Sequence, residues 1–285
     1  MTNWNKRQLL NGAGLALLSS GAALAQGQGD YVPPTRPKVI HRQAKTTKLF
    51  KAPGNYPNAL AVSPDGLWIA QQKLEGAKAV KEHAPPQTGR EDVWLVDWNG
   101  KLLKTLSSDS QDTSGLAFGD GCIWVGANIG PEGIYQVDMN GKQLSHRQMP
   151  LGHVDGGGCH GAQWHDNKLW VVANRLRGLV RMDPQSWTPE FMIPIYNETE
   201  DTKRWHDMTF DKDGFVWLVT GNDSKGFTSG KPGLAKYDAV TGDLLELVSF
   251  VPGACDPHGL EYHNGALIGV DAGYHPGWPV GDSPS

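Results

Sequence analysis

An all-β fold of repeated four-stranded units is predicted by three observations. One five-residue pattern recurs five times, a tight turn follows each copy, and a bulky residue stands ten or eleven positions after each copy begins. The copies begin at Asn58, Ser114, His160, His206 and His258, at spacings of 56, 46, 46 and 52 residues.

The first element of each unit is Asn58-Ala-Leu-Ala-Val, Ser114-Gly-Leu-Ala-Phe, His160-Gly-Ala-Gln-Trp, His206-Asp-Met-Thr-Phe or His258-Gly-Leu-Glu-Tyr. Its third and fifth positions are apolar or aromatic, apart from the smaller Ala162, which is the alternation of a short strand. The turns that follow are Pro64-Asp65-Gly66, Gly119-Asp120-Gly121, Asp166-Asn167, Asp213-Gly214 and Asn264-Gly265. A second strand then carries Trp68, Trp124, Trp170, Trp217 or Ile268. A third strand ends in Asp97, Asp138, Asp183 or Asp238, and Asn99-Gly100 and Asn140-Gly141 read as hairpin turns into a fourth.

Four antiparallel strands repeated at this period define a β-propeller around a central channel. A β-sandwich would not require five strands that start alike. The count is five blades, or six were a divergent unit present. Residues 46–50 read as the outer strand of the last blade, supplied from the N-terminal side to close the ring. The fifth unit reaches only its second strand, over 266–270. Either residues 272–285 complete that blade irregularly or the chain is a C-terminal truncation.

Ahead of the repeats, Lys6-Arg7 precede an apolar run that ends Ala23-Leu24-Ala25. A positive start, a short apolar stretch and a small-x-small site read as a signal peptide over residues 1–25. Periplasmic or secreted localisation is therefore expected, by a route that the twin-arginine-like order Lys6-Arg7-Gln8-Leu9 leaves open. Residues 26–45 would form an extension and 46–285 a single propeller domain. The chain holds 26 basic against 30 acidic residues, and losing Lys6 and Arg7 makes it more acidic. No basic patch suits nucleic acid, and no membrane contact is expected after cleavage. A monomer acting on a small-molecule substrate is the expectation.

The stretches "SPDGLWIA", "GCIWVGAN…GIYQVDMNGKQL" and "KLWVVANRLRGLVRMD" resemble blades of the superfamily of gluconolactonases, virginiamycin B lyases and NHL-repeat proteins. The resemblance covers residues 55–270 and rests on scaffold positions, so it implies the fold far more specifically than any one activity.

The long connections fall on one face, where each innermost strand begins, and long loops on a rigid scaffold usually carry function. His160, His206 and His258 open three innermost strands and should ring the channel mouth, with Asn58 and Ser114 completing the circle. Small residues follow at Ala59, Gly115, Gly161 and Gly259, as crowding at the axis requires. Three imidazoles converging on one point suit zinc, with copper or iron as alternatives. With a position left open, such a metal could activate water. The trio resembles the three-histidine zinc centre of amidating-lyase propellers, although the flanking residues differ. The competing reading is a histidine ring holding only water or an anion.

On the same rim, Arg175 is the candidate to stabilise developing negative charge, and Asp256 and His275 are the candidates to move protons. Asn58, Ser114, Asp207 and Glu261 are candidate ligand-binding residues. Cys159 and Cys255 fit thiolate ligands, a disulfide or packing equally well, whereas Cys122 reads as buried and inert. His165 and His263 should lie near the opposite turn, in solvent, and the charge run Glu198–Arg204 reads as a solvated loop. Trp205 and Trp278 could wall a pocket. The sequence has no Gly-x-Ser-x-Gly, phosphate-loop or HExxH motif. The expected function is a metal-dependent hydrolase or lyase for a small lactone, ester or related oxygen compound. The alternative is a non-catalytic propeller that binds a small ligand or a partner protein.

Overall fold

The computed structural model describes residues 35–54, 56–72, 90–129, 131–149, 159–195, 205–220, 233–251 and 257–272, apart from the side chains of Ile129 and Arg175. The expected signal peptide, Asp256, His275, Cys255, Trp278 and the 198–204 charge run lie outside the described residues.

These residues form an all-β, propeller-like ring of sheets. The first blade contains β2 (Pro57–Ser63), β3 (Gly66–Gln71), β4 (Glu91–Val96) and β5 (Leu102–Ser108). The second contains β6 (Gln111–Gly119), β7 (Cys122–Ile129), β8 (Gly133–Asp138) and β9 (Gln143–Arg147). The third contains β10 (Ala162–His165), β11 (Lys168–Ala173), β12 (Gly178–Met182) and β13 (Pro189–Pro194). The fourth contains β14 (Asp207–Phe210), β15 (Val216–Thr220), β16 (Gly233–Tyr237) and β17 (Leu244–Phe250). A fifth sheet shows two strands, β18 (Pro257–His263) and β19 (Ala266–Asp271). Going round, β2 packs on β6, β6 on β10, β10 on β14, β14 on β18, and β18 on β2.

The repeated residues explain themselves once the sheets are placed. Side chains alternate across each strand, so every blade offers one face to each neighbour, and the core is a set of wedges between blades. Trp68 lies between the first and second, Trp124 between the second and third, and Trp170 between the third and fourth. Trp217 packs at the fourth junction, and at the fifth Ile268 takes the equivalent place beside Leu60, Trp94 and Val270. A buried indole removes about 150–250 Å² from water, which is why the offset persists.

The third-strand aspartates act by hydrogen bonding. Asp97 Oδ1 accepts from the backbone N–H groups of Asn99 and Lys101, and Asp138 Oδ1 from those of Asn140 and Lys142. Asp183 and Asp238 do the same in their own hairpins. Each carboxylate supplies the turn with an acceptor that the backbone lacks there.

One expectation is corrected. Residues 46–50 form no strand and do not complete the last blade. The N-terminal strand is β1 (Ile40–Ala44), which pairs in parallel with β17 and covers the outer edge of the fourth blade. Arg42 meets Glu246 across that edge at 2.8 Å. Downstream, Phe50 and Ala52 join the apolar wedge between the fifth and first blades instead of a ladder. Phe50 lies on the hairpin at Gly100, where φ is +82° and a Cβ would sit 2.6 Å from Phe50 Cβ.

Candidate functional site

The five pattern-opening residues meet at one end of the channel, all buried. The backbone puts them there by a shared irregularity. Pro57 pairs with Gln71 but Ala59 with Ala70, so Asn58 is an extra residue in its strand. Ser114 and His258 are extra in the same way. In the fourth blade His206 N–H donates to Val219 O at 2.8 Å while Asp207 pairs with Val219, so two residues again face one. Such bulges re-aim a side chain, and they favour functional sites. Close approach then demands small neighbours. A Cβ on Gly161 would lie 2.7 Å from Asp207 Cα, and one on Gly259 3.0 Å from Ala59 Cα.

His160, His206 and His258 occupy consecutive positions on one arc. The rings of His160 and His206 meet edge-on with centroids 5.8 Å apart, and those of His206 and His258 stack at 3.8 Å and 16°. His258 Nδ1–H donates to Asn58 Oδ1 at 3.2 Å, which links the fifth blade to the first and keeps the lone pair on Nε2. A metal-binding histidine commonly gives its other N–H to a carbonyl in this way. A metal lies in the plane of each ring that binds it, so a stacked pair cannot share one ion until one ring turns. Consistently, no group of three or more ligands among the described residues is arranged around an ion position.

The other arc is built from amides, hydroxyls and carboxylates. Ser114 Oγ accepts from Gln72 Nε2 at 3.2 Å and from Asn128 Nδ2 at 2.5 Å, and donates to Asp112 O at 3.4 Å. Gln72 Nε2 also donates to Asp112 Oδ1 at 2.6 Å. The Glu91 carboxylate accepts from the N–H groups of Asp112 and Thr113. Tyr56 and Asp112, each two residues before its ring position, have φ of 56° and 54°. Strained backbone of this kind persists where the surroundings fix it, often beside functional sites.

Asp207 and Glu261 lie just inside the mouth, and their oxygens are taken by neighbouring strands. Asp207 Oδ2 accepts from Leu260 N–H at 3.0 Å, and the carboxylate also accepts from the backbone of Leu60. Glu261 Oε1 accepts from Val62 N–H at 3.0 Å, and Oε2 accepts from Thr209 Oγ1 at 3.3 Å. Two carboxylates thus tie the fourth and fifth blades to the first. Burial holds Asp207 well above the usual carboxylate range, helped by the nearby Glu261 charge, against its backbone hydrogen bonds. Burial pushes Glu261 up to about 7, also against its hydrogen bonds.

The remaining candidates divide. The backbone of Arg175 lies in a short 3-10 turn, Asn174–Leu176, after β11, which is the rim side. Cys159 is a fully buried free thiol bonded to Gly161 O, its ionisation opposed by burial and then by the Asp207 charge, which favours packing. Trp205 belongs to the wedge between the third and fourth blades. His165 stacks on Phe210 at 4.0 Å and His263 on Trp98 at 4.0 Å, so each half-buried ring joins two blades while keeping a face in solvent. Sequence reasoning missed Gln72, Asn128 and Asn174. Each follows its ring residue by 14 positions, an offset visible in the sequence.

The ring of antiparallel sheets with a polar mouth defines a β-propeller. No protein-family model matches the chain, and no curated protein does. Among solved structures, the chain is similar to the glutaminyl cyclase of Myxococcus xanthus, with TM-score 0.57, 9% identity, and coverage of 81% of this chain and 93% of that one. It is also similar, at TM-score 0.42 in each case, to hydrazine synthase of Kuenenia stuttgartiensis and to a protein of unknown function from Bacteroides caccae. The first has 14% identity and coverage of 78% and 51%; the second has 11% identity and coverage of 68% and 60%. The chain thus spans only about half to three-fifths of the latter two. At such identities the likeness is one of fold.

Proposed function

We propose that this protein is an exported enzyme that binds a small oxygen compound at the channel mouth and cleaves it by hydrolysis or elimination. The observation that carries this reading is the arc of adjacent His160, His206 and His258, with Asn58 fixing the tautomer of His258. Imidazole nitrogens favour a divalent transition metal, zinc by preference, and a turn of His258 or His206 out of their stack would let the three share it. When bound, the ion would polarise a carbonyl and lower the pKa of a water. Arg175 would stabilise developing negative charge, and Asp256 or His275 would move the proton. Asp207 and Glu261 act here as positioning residues, because they hold the strands that carry the ring. The substrate class, a lactone or ester, rests on the resemblance to gluconolactonases and virginiamycin B lyases.

The His206–His258 stack favours a second reading, a metal-free propeller that only binds a ligand. Zinc content after dialysis, measured on protein purified without a polyhistidine tag, separates the two, together with turnover of a lactone and ester panel. The first reading expects one zinc per chain and turnover that disappears and returns with it. Undiminished turnover without zinc would overturn the metal, and neither zinc nor turnover would favour the binding module.

A further inference from the structure

The three carboxamides at the end of the second strands occupy equivalent positions but are not used equivalently. Gln72, in the first blade, reaches forward to Asp112 and Ser114 of the second. Asn174, in the third, reaches forward to the start of the fourth, where its Nδ2 donates to Trp205 O and its Oδ1 accepts from Trp205 N–H, both at 2.9 Å. Asn128, in the second, turns back to its own blade, with Nδ2 donating to Ser114 Oγ. Its Oδ1 is buried and has no hydrogen-bond partner among the described residues, in a residue that is only 8% exposed. The same amide is joined through Nδ2 to the ring residue Ser114, so this oxygen lies beside the channel mouth.

A buried amide oxygen without a donor has lost its hydration with nothing in return, and such an atom beside a ring of candidate site residues calls for a ligand. We propose that Asn128 is a specificity-determining residue whose Oδ1 accepts a hydrogen bond from an O–H or N–H group on the bound molecule. Ser114 cannot take this part. It already accepts from two amides and donates to Asp112 O. Gln72 and Asp112 hold Ser114 in place, and Ser114 holds the Asn128 amide in one orientation. The ligand therefore presents a donor to the second blade and its reacting oxygen to the imidazole arc. This inference rests on the channel-mouth reading and narrows its substrate class to compounds with a donor close to the reacting carbonyl.

Two matched pairs of probes test it: α-hydroxy-γ-butyrolactone against γ-butyrolactone, and 2-pyrrolidinone against N-methyl-2-pyrrolidinone. Affinities are read by saturation-transfer NMR on the full chain, with crystal soaks to locate the probe. The donor-bearing member of each pair should bind roughly 5- to 10-fold tighter, the range of one neutral hydrogen bond. Asn128→Ala should erase that preference, so that the two members of each pair bind alike. Asn128→Asp, which keeps an acceptor, should restore it, and serves also where the alanine variant folds poorly. A preference that survives in Asn128→Ala, or its absence in the unaltered protein, would overturn the inference but leave the channel-mouth reading standing. Preference for the donor-free members would make the buried atom an N–H group and overturn it too. Probes located only away from the mouth would sink both.

Discussion

On the first two blades the mouth of the channel is lined by Asn58 and Ser114, and on the other three by imidazoles. The two arcs share a backbone device, an extra residue at the start of the inner strand, present at Asn58 and Ser114 on one side and at His258 on the other. They differ in how their polar atoms are used. Around Ser114 the amide and hydroxyl arc is joined by hydrogen bonds of 2.5–3.4 Å, whereas the histidines add ring-to-ring contacts to a hydrogen bond between His258 and Asn58. The scaffold thus brings five side chains to one place, and residue choice divides the ring into an amide and hydroxyl half and an imidazole half.

If that division holds, stability and chemistry should separate by position. The largest effect belongs to the wedges. Trp124→Ala, which also breaks the indole bond to Gly119 O, should cost about 3–5 kcal/mol. That corresponds to a fall in Tm of about 10 °C in thermal unfolding. A loss no larger than that of a mouth variant would break the comparison at its root.

Next come the carboxylates beneath the mouth. Burial raises Glu261 to about 7, above its ordinary value of 4.5. A raised acid favours folding most when protonated, so its contribution is complete below pH 4.5 and fades as pH rises through 7. The swing is at most about 3 kcal/mol. Asp207 is shifted in the same direction. Denaturant midpoints should therefore decline between pH 5 and pH 8, and Glu261→Gln should flatten the decline. An unchanged slope in that variant would remove Glu261 from the account.

On the imidazole arc, His160→Ala should weaken zinc binding at least roughly 100-fold by competition with a chelator, beyond the loss typical of supporting residues. Its thermal stability should stay within a few degrees of the parent. Asn58→Ala should weaken zinc less, by roughly 10-fold, because it acts through His258. Equal losses in the two variants would erase the distinction between ligand and support. The smallest effect is expected far from the mouth: Asp238→Ala removes the acceptor for Val240 and Thr241 N–H groups and should cost about 1 kcal/mol in urea unfolding.

Much of this was legible because repetition amplifies weak signals. The five-residue pattern, the Trp offset and the strand-ending Asp each meant little alone, yet together they placed the inner strands and the ring residues. Two kinds of feature stayed hidden. The bulge at Asn58, Ser114 and His258 depends on pairing register, which the spacing of apolar residues does not encode. The β1 strand, Ile40–Ala44, has little alternation of its own and is selected by the open edge of β17, so Thr46 and Thr47, with higher strand propensity, misled. Asp207 and Glu261 stood out in the sequence as candidate ligand-binding residues, but their backbone partners lie about 50 to 200 residues away in sequence, beyond any local reading.

The central claim is that the three histidines can converge on one ion although two of them stack in this structure. Anomalous X-ray scattering at the zinc edge, from crystals grown with zinc and without a polyhistidine tag, tests it most directly. The account predicts one peak on the channel axis, with a nitrogen of each of His160, His206 and His258 at ~2.0–2.1 Å and the stack of His206 on His258 opened. A peak elsewhere, or an intact stack with no peak at the mouth, would contradict it.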